Sequence, residues 1–127
     1  MRLLPSVLLV LAGMGAVTNA ALGNVLDVPI TEEAGDGQMA NCTSSVVTGL
    51  AAGGDGFLAV RAGPGSSYSK VDELRNGDVV IVFEMRGDWA GVVYRTPDIR
   101  CASKTTKTVT YPNKGWIHSR WLQDVAG

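Results

Sequence analysis

The chain has 127 residues, which leaves room for one domain and excludes a multi-domain enzyme. Its 11 Lys and Arg against 12 Asp and Glu give a net charge of -1, and a general nucleic-acid binder would carry a basic excess. With 16 Gly and 5 Pro, turns and helix breakers are frequent, so short strands are favoured over long helices.

Residues 1–20 have the organisation of a secretory signal. Arg2 and the amino terminus are positive, Val7 to Val17 is apolar or small, and Thr18-Asn19-Ala20 offers a small-x-small cleavage site. The apolar run is short for the roughly twenty residues of a transmembrane helix. An uncleaved amino-terminal anchor is the alternative. Cleavage near Ala20 predicts a periplasmic or secreted protein with no remaining membrane span. In that compartment Cys42 and Cys101, the only two cysteines, are expected to form a disulfide closing a loop of about 60 residues, worth about 4 kcal/mol. Two free thiols or half of a metal site are the other options, but the pair lacks zinc-site spacing and His118 is the only histidine. Asn41-Cys42-Thr43 also fits a glycosylation sequon.

Residues 21–40 carry Asp27, Glu32, Glu33 and Asp36 with no basic residue, together with Pro29, Gly35 and Gly37. They read as a disordered acidic arm. From residue 41 to 127 the composition becomes that of a β domain. Ser45 to Thr48 is β-prone and ends at Gly49; residues 51–56 are a loop; Leu58 and Val60 alternate at a strand's period of two. Gly63-Pro64-Gly65 is a tight turn. Val71 to Leu74 leads to the Asn76-Gly77 turn, and Val79 to Phe83 suits a strand buried on much of both faces. After the turn at Arg86-Gly87-Asp88, Trp89 to Tyr94 is a paired strand. A Thr- and Lys-rich stretch over residues 95–114 precedes a short strand, Gly115 to His118. Ser119 to Leu122 is expected as one helical turn and a strand end.

These features follow a known order. Leu58-Ala59-Val60-Arg61-Ala62-Gly63-Pro64-Gly65-Ser66-Ser67-Tyr68 resembles the L-x-V-R-x-G-P-x-x-x-Y opening of bacterial SH3-like (SH3b) domains. The family's later features are matched by Gly77-Asp78-Val79-Val80, Trp89 and Gly115-Trp116-Ile117. The resemblance spans residues 46–123 and implies an all-β fold, a small SH3-like barrel of five to six short strands. Stretch 95–114 is longer than the usual hairpin at that place. What the resemblance implies for function is a cell-envelope binding module for peptidoglycan or an extended peptide, here as a monomer. A periplasmic adaptor that binds another exported protein is the alternative.

The residues themselves argue against catalysis. Ser nucleophiles need a base, and no G-x-S-x-G surrounds any serine here. Glu32-Glu33 and Asp72-Glu73 read as solvated acids, and Gly63-Pro64-Gly65 lacks the Lys-Ser/Thr of a phosphate loop. No enzyme activity, cofactor, metal or nucleic-acid partner is therefore expected. Binding rests on the aromatics Tyr68, Trp89, Tyr94, Tyr111, Trp116 and Trp121. Trp116 is expected in the core, as at the matching family position. Residues 115–122 are similar to the closing G-x-[IV]-P-x-x-Y-[VIL] of eukaryotic SH3 domains, and that analogy puts His118 and Trp121 on a groove with Trp89 and Tyr68 opposite. Because His118 stands where that pattern has Pro, proline-rich ligands are not implied. Between residues 94 and 121, six basic residues face Asp98 alone. This basic stretch is either a solvated loop, an edge for anionic wall polymer or lipid headgroups, or a surface on which the acidic arm folds back.

Overall fold

The computed structural model describes residues 23–51 and 56–125; the expected signal segment 1–20 lies outside the described residues. Nine strands follow one another as β1 (Thr31–Glu32), β2 (Thr43–Val47), β3 (Leu58–Arg61), β4 (Lys70–Leu74), β5 (Val79–Arg86), β6 (Trp89–Tyr94), β7 (Lys107–Thr108), β8 (Lys114–His118) and β9 (Leu122–Asp124). A single 3-10 turn, Ser119–Trp121, separates the last two. Seven strands pair antiparallel in the order β4-β3-β8-β6-β5-β2-β9, and β1 pairs with β7 in a separate ribbon. The fold is thus all-β, as expected. The six strands read from the sequence are β2, β3, β4, β5, β6 and β8, with β9 as the strand end. The main ladder does not close, so β4 and β9 are its edges.

Alternation along the strands creates two apolar layers rather than one. Val60, Val80, Val92 and Ile117 point to the inner cluster, joined by Val47, Leu58, Leu74 and Tyr94. Their neighbours Phe83, Val93 and Trp116 point the other way, into a second cluster with Ile30 and Val109. Val79 to Phe83 is accordingly used on both faces, Val82 packing on the inner cluster and Ile81 on the outer. Only the first residue of the run departs from this: Val79 is 55% exposed.

The outer layer is covered by two segments, the arm before β2 and the stretch between β6 and β8. The acidic arm is ordered over its described part, which corrects the expectation of disorder over residues 21–40. Ile30 is fully buried, and Leu26 and Val28 pack beside it. Thr31 stands opposite Thr108 and Glu32 opposite Lys107. The Thr31 N–H donates to Glu84 Oε1 at 2.9 Å, and the Trp116 indole Nε1–H donates to the Val28 carbonyl at 2.9 Å. Asp36 is tied locally, its carboxylate accepting from the Gln38 and Met39 N–H groups, which hold its pKa below the ordinary value. Of the three fates open to the basic stretch, then, the arm folding back on it is the one adopted. Apolar residues between the acids drive this: burying one Ile side chain is worth roughly 1.5–3 kcal/mol, more than an exposed pair of opposite charges contributes.

Gly91 makes room for the arm. A Cβ on Gly91 would lie 2.9 Å from Ile30 Cγ2, so the sheet is bare at the point where Ile30 sits down. Cys42 and Cys101 are bonded, with Cα atoms 5.8 Å apart across a sequence separation of 59. The bridge joins the residue preceding β2 to stretch 95–114, and both cysteines pack on the outer cluster. It therefore fastens the cover to the sheet.

Two outcomes follow from this layering. Ile30→Ala is expected to cost about 2–5 kcal/mol in urea unfolding, the range for emptying a buried Ile site, whereas a disordered arm would give no change. Replacing both cysteines by Ala is expected to cost about 4 kcal/mol, with loss of protection in hydrogen exchange concentrated at the arm and residues 95–114.

Candidate functional site

The four aromatic-groove residues do not converge. Trp89 and His118 are direct partners across β6 and β8, their rings 5.3 Å apart at 67°. His118 also caps the 3-10 turn, its Nδ1 accepting from the Arg120 N–H at 3.1 Å. Trp89 packs toward the outer cluster but Trp121 packs on the inner one, so the two indoles serve opposite faces of the sheet. The Arg120 guanidinium lies 5.5 Å from the Trp121 ring centre, a cation–π contact. Tyr68 staples its own turn. Its ring fills the space beside Gly63, where a Cβ would come within 2.5 Å of the ring, and its carbonyl accepts from Arg61 Nη1 at 3.0 Å. None of the four lines any of the four most pronounced cavities among the described residues. Trp116 is fully buried, as expected, though in the outer layer.

The largest of those cavities is a cleft of about 590 Å³ beside the end of the β5–β6 hairpin. Its floor is Val79 and Ile81 of β5 with Val93 and Tyr94 of β6; its far wall is Arg95, Thr96, Asp98 and Ile99; Asp78 closes one end. Chain direction explains the wall. Pro97 cannot extend a strand ladder, so the chain leaves the sheet just after β6 and arches back over it. Arg95 and Asp98 adopt φ of 48° and 56°, the only non-glycine residues with positive φ among those described, and both line the cleft. Backbone held in this region is costly for residues with a Cβ, and such strain collects at binding sites.

Arg95 is fixed by four neighbours. Its Nη2 donates to the Glu73 carbonyl at 3.0 Å, its Nη1 reaches Asp72 Oδ2 at 3.4 Å, and Asp78 Oδ2 lies 3.8 Å from Nη2. The guanidinium carbon stands 5.4 Å from the Tyr94 ring centre. Beneath it, the Tyr94 hydroxyl donates to Asp72 Oδ2 at 2.8 Å and accepts from Asn24 Nδ2 at 2.8 Å. Burial of the ring, then the hydrogen bond to the Asp72 carboxylate, push the Tyr94 pKa far above the ordinary phenol value of 10.0. Burial likewise lowers the Lys114 pKa; its Nζ donates to the Asn24 carbonyl at 3.3 Å.

Sequence reasoning missed this cleft. Thr96-Pro97-Asp98 is a turn signal that was available, but a turn does not announce which surface it arches over. No group of three or more potential metal ligands occurs among the described residues.

The family model of the bacterial SH3 domain matches residues 56–123, more than half of the chain, and the chain belongs to that family. Comparison with curated proteins and with solved structures gives no match. The matched region runs from the segment before β3 to the middle of β9, so the cleft and the basic stretch fall within it and the arm outside it.

Tyr94 supplies a pH-dependent outcome. A phenol whose pKa is raised by folding stabilises fully below the unfolded value of 10.0, and that contribution is lost as pH rises through the folded value. The phenolate absorbance of Tyr94 is therefore expected only as alkali unfolds the chain. Tyr94→Phe should remove that part of the alkaline loss while lowering stability at neutral pH by about 1–3 kcal/mol, since Asp72 and Asn24 lose their partner.

Proposed function

We propose that this bacterial SH3 domain is an exported, non-enzymatic binding module of the cell envelope that takes an extended peptide in the cleft of Val79, Ile81, Val93 and Thr96. What carries the reading is the composition of that cleft: an apolar sheet floor under a rim bearing both signs of charge, Asp78 and Asp98 with Arg95. Such a surface suits a peptide, whose side chains are apolar or charged in turn and whose backbone can bond Thr96 at the rim. It suits a glycan less well. Sugar faces stack on exposed rings, and the only ring in the cleft, Tyr94, is 1% exposed. The peptide portion of peptidoglycan is thus favoured over its sugar strands. The disulfide supports export, because such bonds persist in oxidising compartments.

The absence of catalysis is part of the proposal. The imidazole of His118 is engaged on one side by the Arg120 N–H and lies against Trp89, which gives it a structural task.

Sedimentation with purified insoluble peptidoglycan tests the reading. Wild type is expected to co-sediment, and Val79→Asp, a change at an exposed floor position, to weaken retention about tenfold, or about 1.4 kcal/mol. Trp89→Ala is expected to leave retention intact. The opposite pattern, loss with Trp89→Ala alone, would move the site to the Trp89–His118 face and the ligand to the glycan. If wild type is not retained at all, the wall ligand is ruled out; a single defined cross-linked partner at Thr96 in the periplasm would then identify an adaptor.

A further inference from the structure

On the far side of the cover, β1 and β7 bring opposite charges together around a cavity that the peptide cleft does not use. Glu32 is 2% exposed, yet it carries a carboxylate. Its Oε2 accepts from Asn41 Nδ2 at 2.9 Å and from the Ser103 N–H at 3.0 Å. Among the described residues nothing donates to Oε1. A buried carboxylate oxygen without a donor is costly, so a structure that keeps one has a use for it or fills it.

Glu32 lines a cavity of about 230 Å³ whose other walls include Arg100, Lys107, Val109 and Tyr111. A neighbouring cavity of about 460 Å³ shares Arg100 and Lys107 and is lined by Ser103, the residue whose N–H holds Oε2. Arg100 and Lys107 are thus common to both spaces, and the carboxylate lines the smaller one. Part of their walls is held in place. The Arg100 N–H donates to the Tyr111 hydroxyl at 2.9 Å, the Tyr111 ring packs 6.5 Å from that of Phe83, and Cys101 is held by its disulfide.

The geometry points to a binding site for a small zwitterion of the amino-acid class, its ammonium donating to Glu32 Oε1 and its carboxylate facing Arg100 and Lys107. Charge decides among ligand classes. A lone anion would meet the buried carboxylate, and a lone cation would meet two basic side chains. A divalent metal would find one carboxylate where hard cations need six or more oxygen ligands. Only a molecule that carries both charges satisfies each wall at once. Size agrees, because 230 Å³ is below the roughly 300 Å³ at which ordinary ligand pockets begin. The in-chain competitor is Lys107 itself. It stands directly opposite Glu32 and on the same face of the ribbon, from which its ammonium can swing onto Oε1.

The test is a titration of the isotope-labelled full chain with alanine, followed through the Ser103 amide and the Asn41 side-chain amide. Saturable shifts are expected with a dissociation constant in the millimolar range. Methylammonium and acetate, which each carry one of the two charges, are expected to bind roughly tenfold more weakly or not at all. Glu32→Gln retains an oxygen for Asn41 and Ser103 but loses the charge, and is expected to abolish the alanine response. Absence of saturable shifts in wild type, which would leave Oε1 to Lys107, overturns the proposal. So does an undiminished response in folded Glu32→Gln. Equal binding of methylammonium and alanine to wild type overturns it without recourse to any variant.

Discussion

A β-sheet with apolar side chains on both faces cannot stand alone in water, and that constraint governs this chain. Strands β5, β6 and β8 alternate two apolar sets, one of which fills the inner cluster while the other is left outside. Trp116 and Phe83 are the largest buried side chains on that outer face. The answer is a cover made from two segments, one before β2 and one between β6 and β8: the arm supplies Ile30 and the Val28 carbonyl for the Trp116 indole, and stretch 95–114 supplies Ile99, Val109 and Tyr111. Only a few residues on each side contribute, too few to hold position by burial alone. The disulfide joins the two ends of the cover to the sheet and removes that weakness.

From this layering follows what sequence can and cannot reveal. Elements with local causes were legible: the turns at Gly63-Pro64-Gly65 and Asn76-Gly77, the alternation of Leu58 and Val60, and the closing Gly-Trp-Ile all fall where strands β3 to β8 require them. The two-sided burial of the β5 run was also legible, because an unbroken β-branched stretch leaves no polar face. The arm was not. Four acids and four Gly or Pro residues within twenty have the composition of a solvated segment, and only the tertiary fit of Ile30 over Gly91 reverses it. Glu32 is the sharpest case. Nothing about a Glu-Glu pair signals that one member will be enclosed and bonded to Asn41 and Ser103, since both partners lie outside its own strand.

The candidate site divides in the same way. Only the SH3 analogy set Trp89 opposite His118; what makes them direct partners is the register of β6 on β8, which depends on strand order and is not visible in either segment. That Trp121 stands apart from them could not be read from spacing. One 3-10 turn after β8 carries Trp121 round to the inner side, and a turn of that kind reverses which face a side chain serves. The cleft beside the β5–β6 hairpin is a product of two distant choices, an exposed Val79 on β5 and the departure of the chain at Pro97, and neither is visible from the other.

Arg95 shows how the second choice is enforced. It sits at the point where β6 ends, in a left-handed conformation that costs a residue with a Cβ roughly 1 kcal/mol or more. That cost needs compensation at the same residue, and the guanidinium provides it by bonding the Glu73 carbonyl and Asp72 on β4. β4 is an edge of the open ladder, and the Arg95 guanidinium lies against it through that Glu73 carbonyl. One side chain thereby caps a sheet edge and aims the next five residues across the sheet. The wall of the cleft and this contact with the β4 edge thus share one residue, and freeing Arg95 from Glu73 and Asp72 would loosen both.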